Sequence, residues 1–181
     1  FSANVYKKLL SLSNAQRLYI LQNEPMYFYA YYLPTHFSYA IPKFHFRFYS
    51  DIKRLVAGDI DEAAWIAFRE SAKTSIAKYA LILWCICFEK KRFINIDSYD
   101  KENSEAILYD IALELQINRR IIDDFGHLYF APVMKTTQNE ERYSRIKRLS
   151  HFVTENKILL KAYSTQESTR GRVFGSYRPD L

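Results

Sequence analysis

The sequence predicts an α/β protein with a mainly parallel sheet, flanking helices and a helical N-terminal segment. Only four glycines and five prolines occur among 181 residues, which favours long helices over a turn-rich all-β fold. Short apolar runs such as AAWIAF (63–68) and RFINID (92–97) alternate with longer helical patterns. This strand–helix–strand–helix order implies right-handed crossovers and a parallel sheet with helices on both faces.

Residues 1–57 are predicted to be helical. NVYKKLLSLSNAQRLYILQ (4–22) has apolar residues at helical spacing. Pro25 suits the first turn of a following helix, and Pro34 lies near its end. A third amphipathic run, 41–58, is closed by Gly58. Core packing between helices explains the many aromatic residues most simply, and a base-stacking surface is the alternative.

The pattern changes after Gly58, where strands and helices alternate. Ala63–Phe68 is predicted to be an interior strand because it is a short apolar run before a helix start. Six further elements are predicted. They are a long helix from 73, a strand at 92–97, a helix at 98–116 capped by Ser98 or Asp100, a short helix ended by Gly126, and two strands, 151–154 and 158–164, joined by the turn ENK.

Charge and cysteine content restrict the class of partner and the compartment. The net charge of +6 and pI near 9.2 are compatible with a phosphate-bearing partner such as nucleic acid. Cys85 and Cys87 lack the further ligands of a metal site and are predicted to be reduced core cysteines of an intracellular protein. No secretory signal opens the chain, and YALILWCICF (79–88) is too short to span a membrane.

AFRESAKT (67–74) has the outline of the phosphate-binding pattern G-x-x-x-x-G-K-S/T, with alanine at both glycine positions. The pattern predicts that Lys73 and Thr74 lie at a helix N-terminus and that the 68–72 backbone curls around an anion-sized space. Lys73 would neutralise β- and γ-phosphate oxygens, and the Thr74 hydroxyl would ligate Mg²⁺. Ala72 is expected to have a nearly helical backbone, since alanine is costly at positive φ. The alternative is a solvated lysine near an ordinary helix start.

Several pieces of the chain occur in an order that resembles one protein family. They are FRESAKTS (68–75), FINIDSYDKENSEAILYDIALELQIN (93–118), DDFG (123–126), ENKILLKAYSTQESTRG (155–171) and RPDL (178–181). The ordered set resembles the N-terminal part of the ATPase domain of the large subunit of tailed-phage terminases, over residues 40–181. The resemblance implies a P-loop NTPase fold in an incomplete domain. Residues 1–57 would be a helical lead-in, and 58–181 a partial ATPase core.

The resemblance also implies roles for residues of the loop. Arg69 would act as an in-cis arginine finger beside Lys73, or would pair with Glu70 or another acid. Glu70 stands where the family usually has a small residue, so its carboxylate would repel phosphates unless it faces solvent or pairs with Arg69. Arg170 could approach the phosphates or brace the loop. The implied nucleotide-binding set is Phe68, Arg69, Glu70, Ser71, Ala72, Lys73, Thr74, Ser75 and His45.

KFHFRFYSDIKR (43–54) resembles the family segment that helps to hold the adenine. Phe44, His45, Phe46 and Arg47 are therefore candidates for stacking or edge contact with the base. Packing in the core or on the surface is the alternative for each of them.

The resemblance implies an ATPase that uses ATP and Mg²⁺ to move double-stranded DNA into a procapsid. Its implied partners are the portal protein, the small terminase subunit and further copies in a ring, in the host cytoplasm during phage infection. The family places its metal-holding acids just after RPDL, beyond Leu181, so the 181 residues are expected to bind nucleotide with little hydrolysis. The alternatives are a non-catalytic nucleotide- or DNA-binding module, and another P-loop class such as a helicase or small-molecule kinase.

Overall fold

The computed structural model describes residues 3–36, 41–130, 149–166 and 178. The protein is a mixed α/β protein whose chain forms two compact units, Phe1–Lys90 and Lys91–Leu181. The sequence analysis placed a boundary after residue 57. In the structure, residues 58–90 group with the helices that precede them.

Four of the helices lie in the first 57 residues, as the sequence predicted: Ala3–Ser11, Asn14–Asn23, Pro25–Tyr32 and Lys43–Ala57, with a 3₁₀ turn at Pro34–His36. The single run predicted over 4–22 is two helices. Ser13 breaks it, because its side chain accepts a hydrogen bond from the Gln16 N–H and forms a capping box with that residue. Gly58 closes the last helix with a φ of 81°, a left-handed conformation that favours glycine.

The predicted long helix is confirmed as a continuous helical stretch over 73–87. It consists of α-helical Lys73–Ser75, π-helical Ile76–Leu83 and α-helical Trp84–Cys87. The indole of Trp84 donates a 2.9 Å hydrogen bond to the carbonyl of Leu21. Cys85 and Cys87 are buried free thiols, as predicted. Around them the core of the first unit includes Leu21, Phe28, Ile52, Ile76, Leu83 and Ile86.

The prediction that Ala63–Phe68 is an interior strand is wrong. The segment has no regular secondary structure, and Ile66 and Phe68 are 97% and 68% exposed. An interior strand needs hydrogen-bonded neighbours on both sides, whereas this segment is held by side-chain contacts, chiefly those of Trp65. Trp65 stacks on Phe48, and its indole N–H donates to the Asp51 carboxylate at 3.2 Å. The apolar run thus lies along the Lys43–Ala57 helix.

The second unit contains a three-stranded sheet in the order β1-β3-β2. Strand β1 (Phe93–Ser98) pairs in parallel with β3 (Leu159–Ser164), and β2 (His151–Val153) pairs antiparallel with β3. All three strands were predicted. The described sheet is mixed rather than mainly parallel, because a turn as short as ENK can join only antiparallel strands.

The helix Lys101–Ile117 connects β1 to the later strands and packs against β1 and β3. Of the two predicted caps, Asp100 is the actual one, since its carboxylate accepts from the Glu102 N–H at 3.0 Å. The Ser104 hydroxyl donates to the Tyr163 carbonyl at 2.8 Å and fixes the helix on the sheet. The predicted short helix is Arg119–Phe125, and Gly126 follows it. Among the described helices, none has the length and apolarity needed to cross a membrane.

Candidate functional site

The backbone before Lys73 is sharply bent and left-handed at two positions. Glu70 has a φ of 65°, and Ala72, the N-cap of the helical stretch, has a φ of 60° and a ψ of 16°. The expectation of a nearly helical backbone at Ala72 is therefore wrong. The chain must turn from an irregular segment into the first helical turn, and a left-handed residue makes that turn within one step. This is the geometry for which the standard pattern has glycine.

The Lys73 ammonium group folds back across the loop that precedes it. Its Nζ donates to the carbonyls of Ala67 and Phe68 at 2.6 and 2.8 Å, and to the Ser71 hydroxyl at 3.2 Å. Each of the three ammonium protons thus has one acceptor, and these hydrogen bonds close the loop between residues 67 and 73. Lys73 is half-buried, so the alternative of a lysine held only by solvent does not describe it.

The backbone N–H groups just before and within the first helical turn lack backbone acceptors in the described part of the chain. Residues 69–70 form a turn that brings the Ser71 N–H to the Phe68 carbonyl, residues 72–75 donate no backbone hydrogen bond to a described residue, and the ladder begins with Ile76 N–H to the Ala72 carbonyl at 2.9 Å. A left-handed residue followed by a right-handed one forms a nest, in which successive N–H groups converge on one concavity. Ala72 and Lys73 form such a pair. The helix begins at Lys73, as predicted, and the anion-sized space stays a prediction.

His45 ties the loop to the Lys43–Ala57 helix. Its Nε2 lies 2.7 Å from the carbonyl oxygen of Ser71. A carbonyl oxygen can only accept, so Nε2 carries the proton. Ser71 is 3% exposed and lies between the left-handed residues Glu70 and Ala72. The sequence analysis assigned His45 to the adenine, whereas the structure gives it a contact with the loop backbone.

An open groove of about 620 Å³ lies between the Lys43–Ala57 helix and residues 60–68. Aromatic rings line it: Phe48 stacks on Trp65 at 4.7 Å between centroids, and Phe44 meets Phe68 edge to face at 5.7 Å. Its polar lining comes from Arg47, Asp51, Arg54 and Glu62. Phe44 and Arg47 were predicted as base contacts and do line the groove. Phe46, predicted with them, is not among the lining residues and is 50% exposed.

The remaining predicted site residues have exposed or partly exposed side chains around the loop. Arg69 and Glu70 are exposed and, within the described ranges, form no ion pair with each other or with another residue. Thr74 is exposed and Ser75 half-buried. Arg170 and the other residues of TRG (169–171) lie outside the described residues.

Sequence reasoning missed Trp65, Asp51 and Arg54 as parts of the groove. A signal was present, because Phe44, Phe48 and Asp51 follow i, i+4, i+7 spacing and therefore share one face of the helix. The contact of His45 with Ser71 joins residues far apart in sequence and has no local signal.

No protein-family model, curated protein or solved structure matches this chain. Among the described residues, no group of three or more His, Cys, Asp or Glu side chains is arranged to hold a metal ion.

Proposed function

We propose that this chain binds the phosphates of ATP at the loop 67–75 and is the ATP-binding part of a terminase large subunit. In that proposal the complete protein couples ATP hydrolysis to the translocation of double-stranded DNA into a procapsid. The observation that carries the phosphate site is the arrangement of Lys73. Its ammonium ties together the Ala67 and Phe68 carbonyls, while the N–H groups of 72–75 have no backbone acceptor among the described residues.

Peptide geometry supports the phosphate site. In a trans peptide the carbonyl and the following N–H point in opposite directions. Holding the Ala67 and Phe68 carbonyls on Lys73 therefore fixes the N–H groups of Phe68 and Arg69 on the side away from the ammonium, which shapes the loop before the helix. The unpaired N–H groups of residues 72–75 are at the start of the helical stretch, and such groups favour an anion such as a phosphate.

The aromatic groove supports a nucleotide rather than a free phosphate. Phe68 belongs both to the groove lining and to the loop. Stacking on rings such as Phe44 and Trp65 is the usual way in which proteins hold a base. Arg47 and Arg54 can contact the phosphates or the base, although Asp51 and Glu62 balance their charge in the groove lining. A base in the groove and phosphates at the loop would thus be bound by neighbouring residues.

The donor set fits Mg²⁺ that arrives with the nucleotide. Thr74 has an exposed hydroxyl and, within the described residues, no hydrogen-bond partner, so it would be the ligand from this loop. Bound Mg²⁺ would neutralise charge on the β- and γ-phosphates. Arg69 is exposed and without an ion pair among the described residues, which suits a role as a mobile cation near the γ-phosphate.

A second proposal, a non-catalytic nucleotide-binding module, is favoured by the residues at the left-handed positions. Glu70 and Ala72 occupy conformations that glycine adopts without cost. The Glu70 carboxylate also adds negative charge to the loop. Both features weaken a phosphate site relative to the standard pattern. The expected consequence is weak binding of the nucleotide by a protein that still folds.

Titration calorimetry with ATP, ADP and pyrophosphate, with and without Mg²⁺, tests the phosphate site. We expect binding that depends on Lys73 and is strengthened by Mg²⁺. Lys73→Ala should abolish it, and Lys78→Ala, which removes the same charge from the same helical stretch, should not. Equal binding by the two variants would refute the site. A longer chain that includes the metal-holding acids placed by the family after RPDL separates the two proposals. Binding of ATP without hydrolysis by that chain would favour the non-catalytic module.

A further inference from the structure

We infer that His45 is a positioning residue, which holds the Ser71–Ala72 peptide so that the Ala72 N–H faces the anion. This inference depends on the proposed phosphate site and names the residue outside the loop that sets its backbone. The contact is the 2.7 Å hydrogen bond from Nε2 to the Ser71 carbonyl, across 26 positions of sequence.

The orientation of one peptide plane follows from that hydrogen bond. The chain has no cis peptide bond among the described residues, so the Ser71 carbonyl and the Ala72 N–H point in opposite directions. His45 accordingly directs the Ala72 N–H away from the imidazole. In the nest formed by Ala72 and Lys73, the converging donors are the N–H groups of residues 72, 73 and 74. The first of these three donors is the one that His45 controls.

The loop needs this support because its flanking residues are left-handed without being glycine. Glu70 and Ala72 have φ values of 65° and 60°. A residue with a Cβ is less stable at positive φ than in the right-handed helical or extended conformation. Rotation of the Ser71–Ala72 peptide would relieve that strain. The hydrogen bond to His45 opposes that rotation.

The imidazole is itself held in place. It stacks on Phe48 at 5.9 Å with an interplanar angle of 27° and meets Phe44 edge to face at 4.5 Å. These two contacts orient the ring, so Nε2 reaches Ser71 without a search among rotamers. They also provide a way to separate packing from hydrogen bonding, because phenylalanine preserves the first and lacks the second.

The test compares His45→Phe, which retains an aromatic ring, with His45→Gln, whose side-chain amide can donate at a similar position. His127→Phe is the matched control, since His127 stacks on Phe130 and belongs to the other unit of the chain. In the ligand-free protein, the ¹⁵N–¹H resonances of Ala72 and Lys73 should shift in His45→Phe and return toward wild type in His45→Gln. Long-range ¹⁵N–¹H spectra of the wild type should show the Nε2–H tautomer.

The effect of the His45 substitutions on anion affinity is measured with pyrophosphate. We expect His45→Phe to weaken pyrophosphate binding about 10-fold, because the hydrogen bond from the Ala72 N–H to the charged pyrophosphate is then misaligned. His45→Gln should recover most of the loss, and His127→Phe should bind as the wild type does. If the amide resonances respond as expected but the wild type binds no pyrophosphate, the positioning role stands and the proposed function fails. If the wild type binds pyrophosphate and His45→Phe binds it equally well, or if the loop amide resonances of the two proteins coincide, the inference is overturned.

Discussion

Replacing Ala72 by glycine should stabilise the Phe1–Lys90 unit. Ala72 has a φ of 60°, a conformation that costs a residue with a Cβ about 1–2 kcal/mol and costs glycine almost nothing. Glycine has more freedom in the unfolded chain, which removes about 0.4–1 kcal/mol of that gain. The expected net increase in the free energy of unfolding is therefore about 0.5–1 kcal/mol.

Urea unfolding followed by tryptophan fluorescence measures this change in the correct part of the chain. Both tryptophans, Trp65 and Trp84, lie in the Phe1–Lys90 unit. Ala77→Gly is the matched control, because Ala77 lies inside the helical stretch, where the same substitution costs about 1 kcal/mol. The two variants should thus shift the urea midpoint in opposite directions. A loss of stability in Ala72→Gly equal to that in Ala77→Gly would refute the left-handed assignment.

Three further predictions concern binding, catalysis and pH. Glu70→Gly should bind ATP more tightly in calorimetry, since it removes a like charge and the strain of a φ of 65°; weaker binding would mean that the carboxylate assists the site. In a longer chain that hydrolyses ATP, Arg69→Ala should lower kcat more than it lowers affinity, and the reverse pattern would assign Arg69 to ground-state binding. Burial first, and then the neighbouring Tyr29, raises the pKa of Tyr49. The folded unit therefore retains a proton that the unfolded chain releases above about pH 10, so this stabilisation is complete below that pH and is lost as pH rises. Tyr49→Phe should make the loss of stability above about pH 10 smaller, and equal urea midpoints for wild type and variant across that range would contradict it.

Most secondary structure could be predicted because local signals agreed with one another. Strand β1 and the helix after it follow a change of hydrophobic period, and Asp100 marks the start of that helix. The hairpin of β2 and β3 is indicated by a short polar turn between two β-like runs. The break at Ser13 was missed, although the spacing of Ser13 and Gln16 is that of a capping box.

The failure at Ala63–Phe68 has a non-local cause. An apolar run indicates that a segment can be buried, but the residues that pack on it are determined by the tertiary structure and not by the local sequence. Here the partner is an aromatic ring, Phe48, together with the carboxylate of Asp51, rather than two neighbouring strands. The apolar segment Ala63–Phe68 is therefore largely exposed, and Trp65 is its packed side chain.

The phosphate-loop pattern predicted where the helix begins, but it could not predict what holds the loop. In the standard pattern, glycine supplies the left-handed turn and a strand fixes the chain before it. This chain has alanine in the turn, and the described residues 60–72 that lead to the helix contain no strand. Two side chains provide the restraint: Lys73 holds the carbonyls at 67 and 68, and His45 holds the carbonyl at 71. Because each restraint fixes a different peptide plane, the removal of both should loosen the loop more than either removal alone. Hydrogen exchange of the 69–73 amides in Lys73→Met, His45→Phe and the double variant measures this. If the double variant exchanges no faster than the faster single variant, the two contacts do not restrain the loop independently.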